Sequence, residues 1–391
     1  MTPAVRDLIL RSGPTLDLNI LSGVLDPRIT FARASTGTYF DATGTLQSAS
    51  TNTPRFDYSP STLALQGLLV EEQRVNSILR SAEFDNASWT KGTSTVAANT
   101  IAAPDGTQVA DTIESSQDVG VNQGVSGTTS GLTYCLSIFV KAGTSTLFRL
   151  RNPNGPGWHI DVNLSTGAIT STSGALVVSG STPISNGWHR VWFAHVADVD
   201  GITFNPRPRE AGRTTYHLWG AQVEAGAFPT SYIPTTSAAA TRAMDQASML
   251  TGDWFSPIAG TLAYDYDAPS NIGVLGGLSD LTFNNTIYPS LSGAVSARAG
   301  GVGATFSTAT PVTGGTLNKL AVSFGSTSVL GSTNGSAVGV GVPGSSPYSW
   351  TARLSIGCSP WNLDGAFGGH VRRVRYWPRA LAATQLQAIT Q

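Results

Sequence analysis

Short runs in which apolar and polar residues alternate recur along this chain, and "LAATQLQAIT" (381–390) is its one convincing short helix. Successive side chains of a strand point to opposite faces, so such runs bury one face by packing sheet against sheet. "TYCLSIFVKAG" (133–143) alternates Tyr134, Leu136, Ile138 and Val140 on one side. "TLFRLRN" (146–152) puts Phe148 and Leu150 inward and Arg149 and Arg151 outward. "GWHIDVNLSTG" (157–167) divides Trp158, Ile160, Val162 and Leu164 from His159, Asp161 and Asn163. "GWHRVWFAHV" and "TTYHLWGAQVEAG" continue the pattern, and turn signals such as Pro104-Asp105-Gly106 and Asn186-Gly187 separate the runs. Short strands at regular spacing indicate an all-β protein of sandwich or jelly-roll type.

The order of the runs suggests three parts. Residues 1–75 read as a short N-terminal segment with two strands around a turn at Asp41-Ala42-Thr43-Gly44. Residues 76–247 form a first jelly roll and 248–391 a second sandwich, joined by a linker-like "SYIPTTSAAATRAMDQASM" (231–249). A chain of 391 residues is long enough for separate cores in such parts.

Composition narrows the function. Charged residues are 12% and the net charge is −1, so no global field draws the chain to nucleic acid or an anionic membrane. No apolar run is long enough to span a membrane, and none follows Met1 as a secretory leader would. The expectation is a protein that stays in the cytoplasm or leaves by a route needing no leader, such as assembly into a particle released by lysis. Cys135 and Cys358 are far apart and read as two buried thiols.

"HVRRVRYWPRAL" (370–381) holds four arginines, yet it lacks the long basic run of a nucleic-acid arm. It reads as a final strand in which a bulge keeps Val371, Val374 and Tyr376 all inward.

Binding a sugar takes aromatic faces that stack on its ring, set among planar polar groups that bond its hydroxyls. One candidate surface joins Arg149, Arg151, His159 and Asp161 to Trp188, Arg190 and Trp192, provided their strands adjoin; an acidic glycan would suit the arginines. Trp158 is a further candidate platform that reads as readily as core, Trp188 reads more readily as core than as platform, and Trp192 is the stronger platform. A second candidate is "GCSPWNLDGAFGGH" (357–370), with Trp361, Asn362, Asp364 and His370, against which stands a loop tryptophan that merely caps the core.

Catalysis has little support. Glycoside hydrolysis needs two positioned carboxyl groups, and the acids of the first jelly roll are scattered. No glutamate follows Glu224, which excludes a Glu-x-Asp-x-x-Glu strand from the second unit. There is no nucleophile elbow, P-loop or zinc-ligand spacing.

The ordered segments "ITFARASTGTYFDATGTL", "PRFDY", "GLLVEEQRVNSILRSAEFDNASWTK", "PDGTQVADTI", "SIFVKAG", "NGWHRVWF" and "LWGAQVEAGAFPTSYIPT" resemble a group of phage and prophage structural proteins. That group includes head-spike and tail-fibre proteins of gene transfer agents, with a jelly roll similar to carbohydrate-binding modules. The run Gly369–Trp377, followed by Arg379-Ala380-Leu381, resembles the last strand of laminin-G-like or concanavalin A-like lectin domains. Arg372 and Arg373 stand where that pattern usually has acids, so roles of those acids do not carry over.

The resemblance implies a non-enzymatic, receptor-binding adhesin on a virion or phage-like particle that binds host capsule or lipopolysaccharide. Residues 1–75 would be its attachment module, contacting other particle proteins, and it could act as a homo-oligomer. No cofactor is required. The resemblance leaves open a structural calcium, with Glu83, Asp85 and Glu224 as oxygen ligands. The alternatives are a decoration or connector protein and, last, a glycan depolymerase.

Overall fold

The first described strand and the last lie side by side. In the computed structural model, which describes residues 13–117, 119–269, 273–290, 294–299, 302–307, 315–336, 338–341, 353–365 and 367–391, Leu16–Asn19 pairs antiparallel with Gly369–Trp377. Met1 to Arg11 and their neighbour Ser12, the start of the expected attachment module, lie outside the described residues.

The all-β expectation holds: apart from two single 3-10 turns, the one described helix is Ala383–Thr390. Gln385 Oε1 accepts the Ala382 N–H at 3.0 Å to close its first turn. Leu381 and Leu386 pack on Ala263, Ala321 and Trp377 across the back of the sheet.

Two sandwiches hold most of the described strands. In the first, a six-stranded sheet (Leu176–Pro183, Trp188–Val196, Thr133–Ala142, Arg213–Ala225, Ala110–Ser116, Thr95–Ile101) faces a five-stranded one (Gln123–Val125, Ile202–Pro208, Leu147–Arg151, His159–Asn163, Ile169–Ser173). Leu136, Ile138, Val140, Phe148, Leu150, Ile160, Val162, Val191 and Phe193 fill the space between them, the inward set the alternation predicts.

The second sandwich is discontinuous in sequence. Its eight-stranded sheet includes Leu16–Asn19, Phe56–Tyr58 and Leu65–Val70 as well as Gly260–Asp267, Asn318–Phe324 and Gly369–Trp377. Its seven-stranded sheet takes Thr30–Ala32 as an edge strand, paired to Gln246–Leu250. Leu16, Leu18, Leu68 and Val70 share one core with Leu262, Tyr264, Val374 and Tyr376. The stretch read as an attachment module therefore supplies strands to both sheets of this sandwich, and the first sandwich is an insertion. Its stem is the pair Arg74–Asn76 and Ala240–Arg242.

The segment read as a linker is likewise built into the fold. Asp245 is fully buried and accepts Arg33 Nη1 at 3.0 Å and Arg55 Nη2 at 2.5 Å. Glu71 receives Arg55 Nη1 at 2.8 Å and Arg242 Nη1 at 3.0 Å. Burial works against the charge on Glu71, but Arg242 and Arg55 outweigh it and hold the carboxyl well below its ordinary range. Charges this deep persist only when each has a partner.

The final strand carries the expected bulge. Asp265 faces Arg373 while Tyr266 faces Val371, so Arg372 is skipped and Val371, Val374 and Tyr376 all point inward, fully buried. Gly67, at φ +131°, lies against this bulge; a Cβ there would meet the Val371 carbonyl at 2.4 Å.

Candidate functional site

The two outward-facing groups on the first sandwich do not meet. Arg149, Arg151, His159 and Asp161 belong to the five-stranded sheet, whereas Trp188, Arg190 and Trp192 belong to the six-stranded sheet on the opposite side of the core. Alternation gave each residue its face correctly but could not say which strands share a sheet.

On the five-stranded face, Arg149 and Asp161 are register partners joined by two hydrogen bonds, Nε to Oδ1 at 2.5 Å and Nη2 to Oδ2 at 2.6 Å. Burial lowers the His159 pKa, with the Arg149 charge acting in the same direction. Arg151 is the register partner of His159. The expected ring is missing from this face: Trp158 is 2% exposed and stacks on His195 inside the core at 4.0 Å. This corrects its reading as a sugar platform.

Trp188 is also core. It is 1% exposed, donates Nε1–H to the Ala102 carbonyl at 3.1 Å, and joins Leu46, Phe139, Ile184, Trp219 and Tyr232 in a small cluster outside the six-stranded sheet. The hairpin Gly37–Phe40 and Leu46–Ala49 brings Leu46 over that sheet.

Trp192 and Arg190 escape this cover. Both line a cleft of about 690 Å³ between the two sandwiches. Tyr58, Gln66 and His370 of the second sandwich line it too, with Phe40 of the hairpin and Phe228 of the loop after Arg213–Ala225. A narrower pocket of about 270 Å³ shares Phe40, Arg190, Phe228 and His370 and extends to Glu71 and Phe139. Trp192 is half-buried, with Gly180 of the adjoining edge strand flat against its ring.

Arg190 lies over the Phe139 ring at 5.3 Å and donates Nη2–H to Ser137 Oγ at 3.1 Å. Its Nε is buried without a partner. Burial pulls its pKa down from the ordinary value, while Glu224, Cys135 and Glu71 act in the opposite direction.

His370 does not join the loop that precedes it; it is fixed from both sides on the last strand. Its Nδ1 lies 2.8 Å from Asp267 Oδ1 and its Nε2 2.9 Å from Asp57 Oδ2. Burial opposes its charge, but Asp267 and Asp57 outweigh it and push the pKa up to about 10. Arg372 donates to Asp267 Oδ2 at 2.8 Å, and the Phe40 N–H to Asp57 Oδ1 at 2.6 Å. All four carboxylate oxygens of this pair thus have protein donors.

Residues 266–387 match the concanavalin A-like lectin/glucanases superfamily. This lectin-like stretch supplies Asp267 and His370 to the cleft. It also carries Trp361, Asn362 and Asp364, which are not among the cleft's lining residues. Trp361 stands edge-on to Phe283 at 5.0 Å and to Tyr288 at 5.2 Å, and Asn362 Nδ2 donates to Asp364 Oδ2 at 2.5 Å.

Among solved structures, the Ruminococcus gnavus IT-sialidase CBM40 bound to alpha2,3 sialyllactose is 18% identical, with a TM-score of 0.30 over 35% of this chain and 84% of that one. The NanB sialidase from Streptococcus pneumoniae is 18% identical, with a TM-score of 0.30 over 35% of this chain; the match spans only 24% of the sialidase. The CBM22-1-CBM22-2 tandem domain from Paenibacillus barcinonensis Xyn10C is 10% identical, with a TM-score of 0.26 over 78% of this chain and 97% of that one. No curated protein matches this chain.

The three acids considered for calcium do not form one site. Glu83 pairs with Arg80 at 3.1 Å, Asp85 is exposed, and buried Glu224 is occupied by Gln222 Nε2 at 2.7 Å, the Thr230 N–H at 2.8 Å and Thr230 Oγ1 at 2.7 Å. No group of three or more His, Cys, Asp or Glu that could hold a metal occurs among the described residues. No described helix is long and apolar enough to cross a membrane.

Sequence reasoning missed Phe40, Asp57, Tyr58, Gln66, Phe228 and Asp267. Asp57 and Tyr58 stand in the quoted "PRFDY", but nothing local signals that this strand borders a cleft completed by residues far along the chain.

Proposed function

We propose that this chain is a non-enzymatic glycan-binding protein, displayed as a spike or fibre on a phage-like particle or gene transfer agent. Its ligand is host surface polysaccharide, capsule or lipopolysaccharide, held in the cleft between the sandwiches. One observation carries the reading: Trp192 and Arg190 from one sandwich converge with Tyr58, Gln66 and His370 from the other on a single cleft. Rings flanked by planar hydrogen-bonding groups are what a pyranose needs. The match of residues 266–387 to the lectin/glucanases superfamily supports it.

Cutting the glycan is a poorer fit. Hydrolysis requires one carboxyl group to deliver a proton and another to attack or to activate water. The four oxygens of Asp57 and Asp267 are already taken by His370, Arg372 and the Phe40 N–H. The sequence resemblance supports display on a particle, where several copies would multiply weak single-site affinity. Contacts to other particle proteins are assigned to the N-terminal residues.

The test is retention of the full-length protein on immobilised host polysaccharide. Wild type is retained without releasing reducing ends, and Trp192→Ala is not. A soluble, folded wild type that no host glycan retains would overturn the reading.

A further inference from the structure

Among the described residues, the charged groups lining the cleft are ion-paired with one exception. Glu71 is satisfied by Arg55 and Arg242, and Asp245 by Arg33 and Arg55. Asp267 is shared by His370 and Arg372, and Asp57 is bound by His370 and the Phe40 N–H. Glu224, on the same outer face of the sheet as Arg190, is held by Gln222 and Thr230 and makes no ion pair with it. Arg190 lines both parts of the cleft, yet the described residues give its guanidinium one hydroxyl and one aromatic face, and no ion pair. A guanidinium half-withdrawn from water with no carboxylate in ion-pair contact favours any anion that can reach it.

Spacing decides the anion. Arg190 and Trp192 are two apart on one strand, so they project from the same face about 6.6 Å apart. That is the scale of one pyranose ring carrying a substituent at its rim. We propose that the cleft selects carboxylated sugars of the hexuronate class, with the ring stacked on Trp192 and the carboxylate paired to the Arg190 guanidinium. This rests on the glycan-binding reading above and names the class of sugar it takes.

The test measures calorimetric binding of full-length protein to glucuronate- and galacturonate-containing oligosaccharides and to the same oligosaccharides after carboxyl reduction to neutral sugars. Wild type binds the acidic forms at least ten-fold more tightly, and Arg190→Gln abolishes that preference. Arg190→Lys, which keeps a charge but loses the planar fork, restores part of it. Trp192→Ala loses both forms. Equal binding of acidic and reduced forms, both lost in Trp192→Ala, would overturn the carboxylate assignment and leave the glycan reading standing. Absence of binding to either form by folded wild type would count against both.

Discussion

Arg373 and Asp17, 356 residues apart in sequence, are joined by two hydrogen bonds, Nε to Oδ1 at 2.7 Å and Nη2 to Oδ2 at 2.5 Å. The pair is exposed and adds little stability by itself. What it marks is the adjacency of the first and last described strands, and that adjacency sets how the protein divides into folding units.

Residues 77–239 expressed alone should fold, because that sandwich draws its core from within its own span. Residues 248–391 alone should not, since they lack Leu16, Leu18, Leu68 and Val70. Burying four such side chains is worth about 6 to 12 kcal/mol, comparable with the whole stability of a domain. Soluble yield, circular dichroism and urea melts of the two fragments check this. A cooperatively folded 248–391 fragment would contradict it.

Asp245→Asn removes one buried charge and leaves Arg33 and Arg55 facing each other. Breaking such a set from one side costs about 3–5 kcal/mol. Urea denaturation should show a loss of that size, whereas Asp26→Asn, in an exposed pair with Arg28, should lose less than about 1 kcal/mol.

Stability should fall as pH rises from neutrality to 10. The folded pKa of His370, about 10, lies above its ordinary 6.5. Its contribution is therefore complete below about pH 6.5 and is lost as pH climbs through 10. Asp267 is shifted down from 3.8 by His370 and Arg372 against the opposing effect of burial, so its contribution holds above 3.8 and is lost as pH falls. Thermal melts of wild type should drop by about 5 °C or more between pH 7 and 10, and His370→Gln should flatten that alkaline slope.

Gly180→Ala tests the cleft without replacing a polar residue. A Cβ at 180 would lie 2.4 Å from the Trp192 ring and force it to move. Glycan affinity should fall about ten-fold or more while the Tm changes little, because Gly180 sits on an edge strand. Frontal affinity chromatography on host polysaccharide, alongside a melt, separates the two effects.

Native protein should resist thiol reagents. Cys135 and Cys358 are buried and free, with pKa values pushed up by burial, that of Cys358 to about 11. Labelling should find no reactive thiol at pH 8 and two in urea.

The amino-acid sequence by itself determined which residues face inward. Val191 and Phe193 against Arg190 and Trp192, and the bulge that keeps Val371, Val374 and Tyr376 inside, follow from the two-residue period of a strand, a property of neighbouring residues alone. It also foretold the Asp41–Gly44 turn, the terminal helix and two buried thiols. Only the tertiary structure decided which strands adjoin, and therefore that Arg149 and Trp192 occupy opposite sides of a sandwich while Trp192 and His370 share a cleft. It likewise decided that Trp188 is covered and Trp192 is not, since the cover is a hairpin from the far N-terminal side. Pairing between strands is set by non-local burial and hydrogen bonding across hundreds of residues, and no local period encodes it.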